Sequence, residues 1–347
     1  MLDAGDDVIR LRWGIWNFQE AALDLSRESP GVRKAMLDFF AKLTSGKSTP
    51  SSFENDPDLS AIEAANLEMV INELRQTGFL NFDRPEDHGT QMARALLGNL
   101  DLYRDAGSFE ARVAFASDST SAVDYMESQV PRLGISVDAL PASFMQSLHD
   151  ADFTSGMGGL PEVDRLELLC KQLEIYDSMI FCISRASILA LRNLNRVMLK
   201  IKKPMIVGLI DGPFVTVTGC DVPATGCLEC FEQRSLARLE DHVSYHQFAR
   251  SGAIGASSSG QANGVESLLC ATLLNEAVLL CKMGVSRFIG RALSTYLPTY
   301  EMQAQDVLRI PTCPACGHVS RDISEEINFS SRVVIDEHTR QALGVPS

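Results

Sequence analysis

The stretch RVAFASDSTSAVDYMESQVPRLGISVDAL, residues 112–140, decides the fold class. It opens on RVAFAS (112–117), an apolar run of strand length. AVDYMESQVPRL (122–133) then has helical spacing, and ISVDAL (135–140) is a second strand. The alternation continues downstream. A glycine-containing loop, TSGMGGLPEV (154–163), leads to a helix near VDRLELLCKQL (163–173) and the strand SMIFCIS (178–184). The helix ILALRNLNRVMLK (188–200) and the strand PMIVGLI (204–210) follow. Largely apolar strands alternating with helices of 10–15 residues predict an α/β layer fold with a Rossmann-like succession. SGAIGASSSGQANG (251–264) predicts a flexible loop ahead of the helix VESLLCATLLNEAVLLCKMG (265–284).

Residues 1–88 read as a separate small domain, leaving 89–347 to the α/β domain. VIRLR (8–12), IWNF (15–18) and AALDLS (21–26) predict a three-stranded meander. After Pro30-Gly31, residues Val32, Met36, Leu37, Phe39, Phe40 and Leu43 recur at helical spacing until Gly46. The polar linker SGKSTPSSFENDPD (45–58) holds an expected short second helix. Ser60 caps a third helix, with Glu63 three residues on and Ile62, Leu67, Val70, Ile71 and Leu74 as its apolar face up to Gly78. Three strands and three helices make a winged-helix outline. Such a domain often reads DNA, but this segment holds 16 Asp and Glu against 9 Lys and Arg, a net charge of −7 where phosphate contacts need basic residues. A peptide reader fits better.

The whole chain, 347 residues with a net charge of −14, repels nucleic acid and anionic lipid alike. Its N-terminus, MLDAGDDVIR, is acidic where a leader would be basic, and Asn275 and Glu276 interrupt its longest apolar run. The expectation is a cytoplasmic protein with neither nucleic-acid nor membrane partner.

In that compartment disulfides are disfavoured, so two Cys-x-x-Cys pairs, Cys227/Cys230 in GCLEC and Cys313/Cys316 in PTCPACG, are best read as metal ligands. Two such turns complete a tetrahedral four-sulfur shell, the usual structural Zn²⁺ site, which leaves no position for catalytic water. The pairs are separated by 82 residues, so the ion would clip shut a long excursion and fix the Gly226 turn against the Gly317 turn. Cys170, Cys182, Cys270 and Cys281 stand singly in apolar stretches and read as core residues. His242 and His246 share a helix face but read as solvated. The first strand runs into ASDSTSAVDY instead of Gly-x-Gly-x-x-Gly, and neither GMGG (156–159) nor GAIGASSSG ends in Gly-Lys-Ser/Thr, so ATP binding by this chain is not expected. No Gly-x-Ser-x-Gly elbow marks a hydrolase.

DGPFVTVTGCDVPATGCLECFEQR (211–234), followed by VLRIPTCPACG (307–317), resembles the ThiF-like, zinc-binding component of azoline-forming cyclodehydratases that mature thiazole/oxazole-modified peptides, including bacteriocins. YDSMIFCISRASILALRNLNRVML (176–199) is similar to the strand and helix of that ubiquitin-activating-enzyme-like fold, and residues 1–88 resemble its leader-peptide recognition element. The resemblance implies a non-catalytic subunit. A separate YcaO protein uses ATP to activate the amide oxygen after a Cys, Ser or Thr side chain has attacked, while this component binds the leader of a ribosomal precursor. A flavin-dependent azoline dehydrogenase is a further implied partner, and the assembly would be a hetero-oligomer. Ser184-Arg185 stands where adenylating members of the fold carry an acidic residue. The competing reading is an autonomous ThiF-like enzyme that adenylates a peptide. For leader capture, Ala22, Leu23, Asp24 and Leu25 on an exposed edge strand would pair with the peptide backbone, and Leu67, Val70, Ile71 and Leu74 would form the apolar wall. The alternative for the last four is that they pack the domain core.

Overall fold

The computed structural model describes residues 2–4, 7–13, 19–45, 53, 56–77, 79–80, 88–97, 111–155, 159–250 and 262–317. The chain divides into two compact units, Met1–Glu86 with Leu97–Asp105, and Asp87–Leu96 with Ala106–Ser347.

In the first unit β1 (Leu2–Ala4), β2 (Val8–Trp13) and β3 (Gln19–Asp24) form an antiparallel sheet in that order. Period-two alternation gives β2 its two faces. Ile9 and Leu11 are buried, while Arg10 and Arg12 both reach Glu20 of β3 at 2.6 Å. The buried face packs with α1 (Pro30–Thr44) and α2 (Ala61–Gln76). Ser29 caps α1 ahead of Pro30, a residue suited to the first helical turn because its missing N–H has no partner there anyway. Val32, Met36, Phe39 and Phe40 of α1 then meet Ala64, Leu67, Ile71 and Leu74 of α2 in one core.

The meander is present, but its first strand is Leu2–Ala4; IWNF (15–18) lies outside the described residues. Residues 46–52 and 54–55 of the linker, where the short helix is expected, also lie outside them, and 57–59 form turn and bend.

The second unit is built on a seven-stranded sheet ordered β10-β9-β8-β7-β6-β4-β5. Its parallel half comprises β5 (Val137–Ala139), β4 (Val113–Ser117), β6 (Ser178–Ile183) and β7 (Met205–Asp211). β8 (Phe214–Cys220), β9 (Arg291–Tyr296) and β10 (Glu301–Asp306) extend it antiparallel. Every residue of β4 and β6 is buried, as strands covered on both faces must be. Met179, Phe181 and Ile183 of β6 enter a core with α5 (Ala142–Asp150), α6 (Gly159–Leu173) and α7 (Ile188–Ile201). Ile180 and Cys182 face the opposite way, into a core with α4 (Thr120–Leu133) and α10 (Ala262–Met283). α3 (His88–Leu96), for which the sequence reading had no element, packs on α10. α8 (Leu228–Leu236) and α9 (His242–Arg250) fill the connection between β8 and α10.

Gly208 lets α10 lie directly on β7. A Cβ there would sit 2.5 Å from a Leu269 methyl and 2.9 Å from one of Leu273. By length and composition Gly264–Met283 is apolar enough to cross a membrane, but most of that stretch is buried inside this unit. The buried Glu276 within it is met by Arg287 at 2.6 Å and by the Ser286 hydroxyl at 2.7 Å. Of the loop expected at 251–264, residues 251–261 lie outside the described residues and 262–264 already belong to α10.

Ser29 and Ser60 both donate to the Glu63 carboxylate, at 2.6 Å each, and the Ser60 amide adds a third bond at 2.8 Å. The Ser29 bond first, then those from Ser60, hold the carboxyl down to about 2. A carboxyl lowered on folding stabilises fully above its unfolded value near 4.5, and that contribution is lost as pH falls through about 2. Denaturant melts of the chain followed by tryptophan emission, which reports the first unit because Trp13 and Trp16 are the two tryptophans, are expected to weaken across that window. Glu63→Gln should flatten this dependence.

Candidate functional site

Gly226 brings the two cysteine pairs together. A Cβ there would lie 2.7 Å from the Val307 carbonyl oxygen, and its N–H donates to that oxygen at 3.2 Å. The chain before α8 therefore runs flush against the chain after β10. Cys227 is the N-cap of α8 and Cys230 lies in its first turn, so both sulfurs share one side of the helix start. Cys313 and Cys316 sit in a tight turn closed by Cys313 N–H to Ile310 O and Gly317 N–H to Cys313 O, each 2.9 Å. Gly226 is thus backed by Val307 and Leu308, while Gly317 stands against Pro311 of its own turn. The two glycine turns are therefore brought together through the cysteines that follow and precede them, Cys227 and Cys316, and not through the glycines themselves.

All four thiols are buried and their sulfurs lie within 4.8 Å of one another. The separations are 3.9 Å for Cys227–Cys230, 3.7 Å for Cys227–Cys313 and 3.5 Å for Cys230–Cys316. A tetrahedral shell with metal–sulfur bonds of about 2.3 Å has sulfur–sulfur edges of about 3.8 Å. A disulfide needs about 2.05 Å. The donor set therefore fits a four-coordinate thiophilic cation with no open position. Without a cation, protons must be shared: the bond between Cys227 and Cys230 pushes the Cys227 thiol up and the Cys230 thiol down. A dication replaces those protons and relieves the conflict among four buried sulfurs.

Residues that sequence reasoning missed surround the thiols. Asn195, fully buried on α7, directs its Nδ2 at Cys227 Sγ (3.5 Å) and Glu229 (3.1 Å), while its Oδ1 accepts the Leu228 amide at 3.1 Å. The Ile310 amide points at Cys230 Sγ at 3.4 Å. Burial pushes the Glu229 carboxyl up, and Arg196 opposes this from 3.2 Å. Asn195 stands near the equally buried Asn193 on a helix that also carries Arg192, Arg196 and Lys200, so no signal in the sequence marked it.

A second polar cluster lies at the C-terminal ends of β4 and β6, where the strand order switches direction and open α/β sheets ordinarily admit ligands. Here Asp118 accepts the Ser184 and Arg185 amides, both at 2.7 Å. The buried Glu266 of α10 accepts the Ser184 hydroxyl at 2.5 Å and is also bonded to Ser121. Burial raises its carboxyl, but the hydroxyls of Ser119, Ser121 and Ser184 outweigh that and hold it low. Two amides that could grip a phosphate are already used by a carboxylate, beside a second one.

The residues expected to capture a peptide divide. β3 is an edge strand: β2 pairs with one side, and no strand among the described residues pairs with the other. Ala22 and Asp24 are exposed, Leu23 is half-buried and Leu25 is buried. Leu67, Ile71 and Leu74 are buried in the core and Val70 packs partly against it, which corrects their reading as a peptide-facing wall. The exposed apolar residues of α2 are instead Ile62 and Met69. His242 and His246 are exposed on α9, apart from the thiol cluster.

No family model and no curated protein matches the sequence. Solved structures share the fold. A heterocyclase in complex with substrate and cofactor has a TM-score of 0.56 at 12% identity, covering 91% of this chain and 38% of that one. The heterocyclase TruD has 0.51 at 15%, covering 91% and 41%. E. coli MccB, solved with AMPCPP and MccA, has 0.51 at 12%, covering 91% and 97%. The chain spans about two fifths of the length of those heterocyclases. At these identities the likeness is one of fold.

Cys230→Ser is expected to reduce bound metal well below one ion per chain and to lower the melting temperature, as read by elemental analysis and calorimetry. Asn195→Ala should keep the ion but hold it about tenfold more weakly in chelator competition, the usual scale for removing a group that orients a ligand.

Proposed function

We propose that this chain is the peptide-recruiting, non-catalytic partner of an azoline-forming cyclodehydratase. The observation that carries the proposal is the fold likeness to heterocyclases across 91% of the chain, which takes in both units. On this reading the first unit is a winged-helix-like leader-recognition domain, and the second is a Rossmann-like domain of ThiF type. The ion held by Cys227, Cys230, Cys313 and Cys316 is a structural Zn²⁺.

The chemistry then divides between proteins. β3 takes the leader as a further strand through backbone hydrogen bonds, with Ala22, Leu23 and Asp24 nearest the peptide. A YcaO protein in the same cytoplasmic assembly binds ATP and activates the amide attacked by Cys, Ser or Thr, and a flavin-dependent dehydrogenase acts on the azoline products. The carboxylates Asp118 and Glu266 support the absence of phosphate chemistry from this chain. The likeness to MccB solved with AMPCPP and MccA, which covers 97% of that chain, supports the competing reading of an autonomous adenylating enzyme, and the donors already committed to Asp118 and Glu266 weigh against it.

Successive residues of a strand direct their N–H groups to opposite sides, so either Ala22→Pro or Leu23→Pro removes an outward donor of β3. That variant is expected to stay folded and to lose at least about tenfold in affinity for a fluorescently labelled leader, read by anisotropy, while its metal content is unchanged. Unchanged affinity in both variants would place the peptide elsewhere. The purified chain alone should give no ATP–pyrophosphate exchange; robust exchange would favour the adenylating enzyme.

A further inference from the structure

The second unit holds a cavity of about 660 Å³ that the reading above does not use. It opens at the C-terminal ends of β6 and β7 and is walled by α7, α8 and α9. Its volume lies in the range of sites that enclose small ligands or a few side chains. Ile188 and Leu191 of α7, Leu228 and Phe231 of α8, and Phe248 of α9 give it an apolar lining. Phe248 remains 43% exposed and Leu239 45%, so apolar surface continues to the mouth.

The charges set into this lining are unequal. Glu232 is met by Arg192 at 2.5 Å and accepts the Tyr245 hydroxyl at 2.8 Å. Glu229 is met by Arg196 at 3.2 Å. Asp211, the last residue of β7, has no ion-pair partner among the described residues. Burial and Glu232 push the Tyr245 phenol up against the opposing Arg192, and the exposed Asp211 at the rim adds a smaller push. Ser184, which also lines the cavity, is bonded to the buried Glu266. The site thus combines apolar walls with an excess of negative charge. It favours an apolar ligand with a cationic or neutral end and rejects phosphates and carboxylates.

We propose that this cavity binds an apolar segment of the peptide substrate flanked by a basic residue, with Asp211 selecting the charge. This rests on the peptide-handling function proposed above, which supplies the ligand class. It adds a second point of attachment in the unit that does not contain β3.

The test uses the full chain and N-phenyl-1-naphthylamine, a neutral dye whose emission rises in apolar sites. Acetyl-Phe-Leu-Lys-amide and acetyl-Phe-Leu-Glu-amide serve as competitors. The dye should bind the wild type, and Ser235→Trp, which plugs the cavity from α8, should abolish binding. The Lys peptide should displace the dye at about tenfold lower concentration than the Glu peptide, and Asp211→Lys should reverse that order. Dye binding that is absent from the wild type or survives Ser235→Trp overturns the proposal. So does displacement by neither peptide, displacement by both alike, or an order that Asp211→Lys leaves unchanged. Metal content and leader anisotropy, measured on the same variants, report folding and β3 function independently. Failure at the cavity with leader binding intact removes this site and leaves the proposed function standing.

Discussion

The meeting of Cys227 and Cys230 with Cys313 and Cys316 is the constraint on which the distal half of the second unit depends. Between the pairs the chain makes α8, α9, α10, β9 and β10 before returning. Closing a loop of that length costs about 4 kcal/mol of chain entropy, and the cost rises only slowly with length. A tetrahedral dication held by four thiolates would contribute on the order of 10 kcal/mol, more than that closure cost. Its position at the start of α8 also matters. Fixing Cys227 fixes the helix whose other residues, Leu228 and Phe231, face the cavity, so the four-sulfur site and the cavity wall are one mechanical element. Gly226 makes the clip geometrically possible, since any side chain there would push Val307 away and separate the pairs.

The same unit shows which parts of a fold a sequence exposes. β4, β6 and β7 were legible because strands buried on both faces must be almost wholly apolar, and the helices between them carry apolar stripes. β8 was written in the alternating Val-Thr-Val-Thr of residues 215–218 after an Asp211-Gly212 turn, a strand pattern absent from the sequence reading above. β10, Glu-Met-Gln-Ala-Gln-Asp, was not legible in any such way. All six residues are exposed, so its pairing with β9 comes from backbone bonds and leaves no apolar pattern. α2 illustrates the opposite error. Leu67, Ile71 and Leu74 form a stripe on one helix face, and that pattern reports burial without saying whether the neighbour is the protein's own core or a ligand.

Sites divide along the same line. The four thiols were readable because Cys-x-x-Cys spacing is itself a geometric statement about two sulfurs and one ion. Asn195, Asp118 and Glu266 were not, because what matters about each is its partner, and those partners come from other elements: α8 for Asn195, the end of β6 for Asp118, and Ser121 and Ser184 for Glu266. Their side chains have no characteristic spacing to reveal them.

These partnerships bear on what the second unit can handle. A buried carboxylate needs donors, and the donors available at a switch point are the amides and hydroxyls that a nucleotide phosphate would otherwise occupy. With Asp118 on the amides of Ser184 and Arg185, and Glu266 on the hydroxyls of Ser121 and Ser184, those groups are committed to carboxylates within the protein. Asp211 extends the negative field to the cavity mouth, and the whole chain is acidic. A phosphate entering here would lose its hydration, meet carboxylates and find the best donors taken, whereas an amide backbone with apolar or basic side chains meets none of these penalties. The electrostatics thus make this face a poor place for a phosphate and a better one for an amide backbone with apolar or basic side chains.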